Sequence, residues 1–167
     1  MKERPVAPRF DQGPSRAFFF FGTLLDGDVL ALVLGRGVAD GDMQAAEIDG
    51  FRRVRVQGRA YPMLLPHPGG RVAGRLISGL DAVDVARLRV YEGPEYQIAP
   101  ILVRTGAAMV KAEMFVCPPA LAADRREWSL EQWQLRHKRK VLPGLRQLMA
   151  GFGPARARRR PPSAPGA

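Results

Sequence analysis

The chain has 167 residues, 46% of them hydrophobic, with a single cysteine and a formal net charge of +10. That size and apolar content suit one domain with an ordinary buried core, and no apolar stretch approaches the roughly 20 residues of a membrane-spanning helix. With one cysteine and two widely separated histidines, His67 and His137, an internal disulfide is excluded and no zinc-ligand spacing is present.

In chain order, residues 1–16 read as an irregular N-terminus without the apolar core of a signal peptide, so a cytoplasmic protein with no membrane association is expected. "AFFFF" (17–21) is a continuous aromatic run of the kind that forms a strand buried on both faces. It stops at Gly22, where the missing side chain allows an unusual backbone angle or the close approach of another molecule. "LLDGDVLALVLGRG" predicts a turn and a short helix, with Leu30, Val33 and Leu34 at helical spacing and Gly35 and Gly37 ending it. Beyond it Phe51, Val54 and Val56 fall among Arg53, Arg55 and Gln57, the alternation of a half-exposed strand. Gly69 and Gly70 predict a turn ahead of a strand at 71–78. Arg59 and Arg75 are expected outward and solvated, and His67 is expected in a loop.

At "LDAVDVARLRVYEGPEY" the period changes. Asp81 can cap a helix whose third position is Asp84, a near-relative of the capping box, with Val85, Leu88 and Tyr91 on one face and Gly93-Pro94 as the stop. "YQIAPILVRT" and "AAMVKAEMFVC" read as two further strands, the first carrying Pro100, which suits an edge or a bulge. Cys117 closes the second and is expected to be a buried structural thiol. Ser129 and Gln132 fit a capping box, flanked by Trp128 and Trp133 in the positions of a hydrophobic staple. A helix is therefore expected from about 130 to 142, with Pro143 kinking it or opening a second helix that ends near Gly151.

The positive charge is concentrated at the end. Residues 1–123 hold 15 Lys/Arg against 13 Asp/Glu, whereas residues 124–167 hold 11 against 3. Residues 153–167, rich in Arg, Pro, Ala and Gly, are expected to form a disordered tail that binds polyanions weakly and salt-dependently, without reading any specific nucleic acid. The expected organisation is an α+β domain over 17–152, a twisted sheet of about five or six strands curled toward a barrel with helices outside. A monomer is the default.

Most catalytic kits are absent: the sequence has no P-loop, dinucleotide fingerprint, serine elbow or spaced metal set. Two features remain. Glu92 occupies the last turn of the helix that ends at Gly93; it is either a solvated residue at a helix end or a carboxyl whose pKa the negative end of the helix dipole raises, suiting it to take and return a proton near neutrality. The turn at Gly22, Thr23 and Leu24 is either a tight turn that needs glycine or one that frees backbone N–H groups to point together at a carboxylate or an oxyanion. Glu95 lies in the following loop and should be ordinary. Tyr61 and Tyr96 could each line a pocket or pack in the core.

Taken together, "FFFFGTLL", "GRAYPMLLP", "VAGRLI" and "YEGPEY" resemble the gamma-glutamylcyclotransferase-like (avirulence-induced-gene-like) family, in matching order and spacing over Ala17 to Val116. The resemblance implies a small mixed β-barrel with flanking helices and a cavity at one end. It implies a loop from Phe21 to Leu24 that holds the glutamyl part of a small gamma-glutamyl substrate, and Glu92 as catalytic acid and base. The implied reaction is intramolecular aminoacyl transfer, releasing 5-oxoproline and an amine or amino acid, with no metal, nucleotide or other cofactor. Phe21 and Phe115 stand where the family usually has tyrosine, and Ile98 where it often has arginine. The alternative reading is therefore a non-catalytic relative that binds a small molecule in the same cavity. The C-terminal helix is expected only to pack.

Overall fold

The computed structural model describes residues 15–152. The expected tail at 153–167 and most of the irregular N-terminus lie outside the described residues. Six strands form one sheet: β1 (Arg16–Phe20), β2 (Met43–Val56), β3 (Pro62–Leu80), β4 (Gln97–Thr105), β5 (Ala108–Val116) and β6 (Ala123–Glu127). Neighbours run in the order β3-β1-β5-β4-β2-β6, and β3 also pairs with β2. That last pairing closes β1, β5, β4, β2 and β3 into a five-stranded barrel, with β6 added on β2. Only β1 and β5 are parallel, so the barrel is mixed.

The aromatic run explains why the barrel has helices on one side. Side chains alternate along a strand, so Phe19 joins Ala46, Ile48, Val72, Leu76, Val103, Ala112 and Met114 inside the barrel. Phe18 and Phe20 face outward, into a second apolar cluster with the helices. There they meet α1 (Gly27–Leu34), α2 (Ala82–Glu92) and the C-terminal helix, through Val29, Val33, Leu88, Trp133 and Leu145 among others. Both faces of β1 are thus buried, as its composition predicts. Gly74 of β3 makes the closure possible: a Cβ there would stand 2.2 Å from the Phe20 carbonyl oxygen and 2.7 Å from the Phe19 ring.

Several predicted elements take a different form. Gly69 and Gly70 do not connect two strands; β3 is continuous, and its register on β2 steps from Phe51–Pro66 to Asp49–Arg71, so that residues 67–70 bulge out of the ladder. Gly69 supplies a φ of +78° there, and a Cβ on Gly70 would meet the Phe51 carbonyl at 2.4 Å. His67 is accordingly an exposed strand residue. Pro100 pairs with Glu113 on one side only, the β2–β4 ladder being confined to Glu47–Arg104, which is the edge position that proline tolerates. The C-terminal helix is α3 (Leu130–Trp133), a π segment (Gln134–Lys138) and α4 (Arg139–Ala150) without a break. Its irregularity lies before Pro143, which sits inside α4. Ser129 Oγ accepts from the Gln132 N–H at 3.1 Å and both tryptophans are buried, so the cap and staple form.

Candidate active site

The residues that could do chemistry are gathered by the way α2 begins and ends. The Asp81 carboxylate accepts from the Asp84 N–H at 2.9 Å, and the Asp84 carboxylate accepts from the Asp81 N–H at 3.0 Å, a complete capping box. Val85 and Leu88 then face the core, and the same stripe, four residues after Leu88, brings Glu92 inward at the last helical position. Gly93, with φ +92°, turns the chain away. The neighbouring Tyr91 hydroxyl shares a 2.5 Å hydrogen bond with Thr23 Oγ1, which ties the end of α2 to the loop after β1.

That loop is a single tight turn over Thr23–Leu25, closed by Leu25 N–H to the Gly22 carbonyl at 3.0 Å and Asp26 N–H to the Thr23 carbonyl at 3.1 Å. The first donors of such a turn, the N–H groups of Thr23 and Leu24, have no acceptor within it. Gly22 packs closely on Pro62: a Cβ there would stand 3.1 Å from Pro62 Cγ, a tight contact that the proline ring would have to yield to. Two polar anchors hold the turn. Arg53 donates to the Phe21 carbonyl at 2.8 Å and stacks over Trp128 at 5.3 Å. Asp26, only 1% exposed, accepts from the Asp28 and Val29 N–H groups as the cap of α1, from Gln134 Nε2 at 2.7 Å and from Lys138 Nζ at 2.8 Å. The π segment thus binds the loop to the C-terminal helix.

These elements enclose a cavity of about 300 Å³. Its wall includes every residue singled out from the sequence: Phe21, Gly22, Thr23, Leu24, Tyr61, Glu92 and Tyr96. Tyr91, Trp133 and Val141, for which no pocket role was expected, also line it, so the C-terminal helix does more than pack. Arg53 was expected among the polar positions of a half-exposed strand and is instead partly buried, with its guanidinium on the Phe21 carbonyl, whereas Arg59 and Arg75 are exposed as expected. Asp26 was not singled out from the sequence, neither as the cap of α1 nor as the partner of Gln134 and Lys138, more than 100 residues away.

Among the described residues, Glu92 is the only charged one in the wall. Burial raises its carboxyl from the ordinary 4.5 to about 7. Sequence reasoning expected this direction from the helix dipole, but loss of solvation is the cause the site supplies. Tyr91 and Tyr96 are both pushed up, first by burial, and so remain neutral donors. The Tyr96 hydroxyl accepts from the Cys117 thiol at 3.3 Å, and Glu92 acts on both only through its charge. The Cys117 thiol is raised, chiefly by burial, which suits an inert thiol. Phe115 packs against Phe18 with ring centroids 5.4 Å apart and adds no hydroxyl to the wall. Among the described residues no cluster of His, Cys, Asp and Glu could hold a metal ion.

Residues 18–135 match the model of the "Gamma-glutamyl cyclotransferase, AIG2-like" family. The chain belongs to this family. It is 29% identical over 137 residues to AIG2-like protein A of Arabidopsis thaliana, covering 78% of this chain and 79% of that protein. Among solved structures, an Arabidopsis thaliana protein determined in solution is 24% identical with a TM-score of 0.57, covering 98% of this chain and all of that one. A gamma-glutamyl cyclotransferase is 13% identical with a TM-score of 0.54, covering 82% and 88%. At these identities the structural likeness shows the cyclotransferase fold.

Proposed function

We propose that this cyclotransferase-family protein converts a small gamma-glutamyl compound to 5-oxoproline and a free amine or amino acid, with Glu92 as the catalytic acid and base. The observation that carries the reading is a carboxyl pushed up to about 7 in an aromatic cavity, beside a turn whose first two amides have no acceptor within the turn. In this reaction the Glu92 carboxylate accepts a proton from the substrate α-ammonium, freeing its lone pair to attack the γ-carbonyl carbon. A new C–N bond forms and the carbonyl oxygen becomes an oxyanion facing the Thr23 and Leu24 amides. Glu92 returns its proton to the leaving nitrogen as the old C–N bond breaks, and the remaining extra proton on the ring nitrogen passes to solvent. A cavity that holds the substrate folded supplies rate by proximity, and Phe21, Tyr61 and Tyr96 shape it. The chemistry uses protein groups throughout.

Product analysis tests this. The protein should release 5-oxoproline, not glutamate, from gamma-glutamyl compounds, and an N-acetylated α-amine should stop the reaction because the nucleophile is blocked. Glutamate release, or turnover of the acetylated compound, would overturn intramolecular transfer. The walls at Phe21 and Phe115 favour one other reading, binding without turnover, in which the compounds protect the fold from heat but give no product.

A further inference from the structure

A second cavity of about 110 Å³ adjoins the first, and Ala60 and Trp133 belong to the walls of both. The two differ in charge. Among the described residues the large cavity has no cation in its wall, whereas the small one is lined by Arg55 from β2 and by Arg136 and His137 from the π segment. Among the described residues neither arginine forms an ion pair. The charge of Arg55 acts on the Asp124 carboxylate, but that carboxylate is ion-paired with Arg126 at 2.7 Å. Glu127 also lines the cavity and subtracts one charge.

The π segment makes this placement. Gln134 and Lys138 turn toward Asp26, while Arg136 and His137, between them in sequence, reach the small cavity. One distortion of the helix therefore both fixes the loop beside Glu92 and sets two donors next to the large cavity. Guanidinium groups without an ion-pair partner among the described residues, close to an aromatic chamber whose charged group is the Glu92 carboxyl, fit a carboxylate through charge-assisted hydrogen bonds.

We propose that the small cavity is an anion subsite, taking a carboxylate on the leaving group of the gamma-glutamyl substrate. The inference rests on the cyclotransferase reading of the large cavity. The glutamyl half lies against Phe21–Leu24 and Glu92, the leaving group passes Ala60 and Trp133, and its carboxylate meets Arg55 and Arg136. The substrate is then a gamma-glutamyl amino acid or peptide, and the matching amine without a carboxylate is the poorer one.

The test compares gamma-glutamylphenylalanine with gamma-glutamylphenethylamine, which differ only in that carboxylate. Calorimetric affinities for Glu92→Gln separate binding from turnover. We expect the acid to bind about tenfold more tightly, the scale of one charge-assisted hydrogen bond. Arg55→Gln with Arg136→Gln should abolish that ratio, and Glu127→Gln should increase it. Equal binding of the two compounds, or a double variant in which the ratio persists, overturns the subsite. Release of 5-oxoproline from both at equal kcat/KM would also sink the subsite, with the cyclotransferase reading intact. A binding preference of the expected size without product from the wild type would keep the subsite and remove the catalysis.

Discussion

Replacing Glu92 by Gln should make the fold more stable at alkaline pH. In the folded protein the Glu92 carboxyl titrates at about 7, against 4.5 when it is solvated, and burial is the cause. The sign follows from proton linkage. Below 4.5 the group is protonated in both states and contributes nothing. Between 4.5 and 7 the unfolded chain gives up a proton that the folded chain keeps, so stability falls as pH rises, and above 7 the whole penalty is present. At about 1.4 kcal/mol per pH unit the penalty amounts to about 3 kcal/mol. Glutamine has nearly the shape of the protonated acid and carries no charge. Urea unfolding at pH 4.5 and pH 8.5 should therefore show the two proteins equal at the lower pH, and Glu92→Gln more stable by about 3 kcal/mol at the higher one. A variant that is equally or less stable at pH 8.5 would show that the carboxylate is well solvated or paired, and the proton-shuttle argument would lose its basis.

Three further outcomes follow from the geometry. The kcat/KM for 5-oxoproline release should rise with pH through an apparent pKa of about 7, the Glu92 base being active only when ionised; a profile flat from pH 5 to 8 would contradict it. Gly74→Ala should cost several kcal/mol or prevent folding, since its Cβ would stand 2.2 Å from the Phe20 carbonyl oxygen, and a soluble variant with an unchanged urea midpoint would refute the packing of β1 on β3. Asp26→Asn should cost about 1–3 kcal/mol at pH 7 by weakening its links to Lys138 and Gln134. Burial alone would raise the Asp26 carboxyl, but the hydrogen bonds from Lys138, Gln134 and the Val29 amide, with the Lys138 charge, outweigh it and hold it below 3.8. Its contribution is thus present above that value and lost as pH falls through the lower folded one, so the difference between the two proteins should shrink in acid.

The sequence is most informative where the physics is local. Four phenylalanines in a row are enough to predict a strand with two buried faces, and Asp81, Asp84, Ser129 and Gln132 announce two helix starts within four residues each. The carboxylate at the end of a helix and the glycine turn were also visible, because each sits in a short motif, and the resemblance joined them. What stayed hidden is long-range. Nothing near Arg53 says that its guanidinium will fold inward to the Phe21 carbonyl, and nothing near Gln134 or Lys138 points back to Asp26. Gly69-Gly70 misled for a related reason. A glycine pair fits a reversal and a bulge equally well locally, and only the pairing of β3 along β2 decides between them.

The most direct test of the central claim is 5-oxoproline release at pH 8 by the wild type and by Glu92→Gln, on the same gamma-glutamyl substrates, with unfolding curves showing that both are folded. The account predicts release by the wild type and a loss of at least about a hundredfold in the variant, the lower end of what a positioned acid and base contributes. Release that persists undiminished without the Glu92 carboxyl would contradict it.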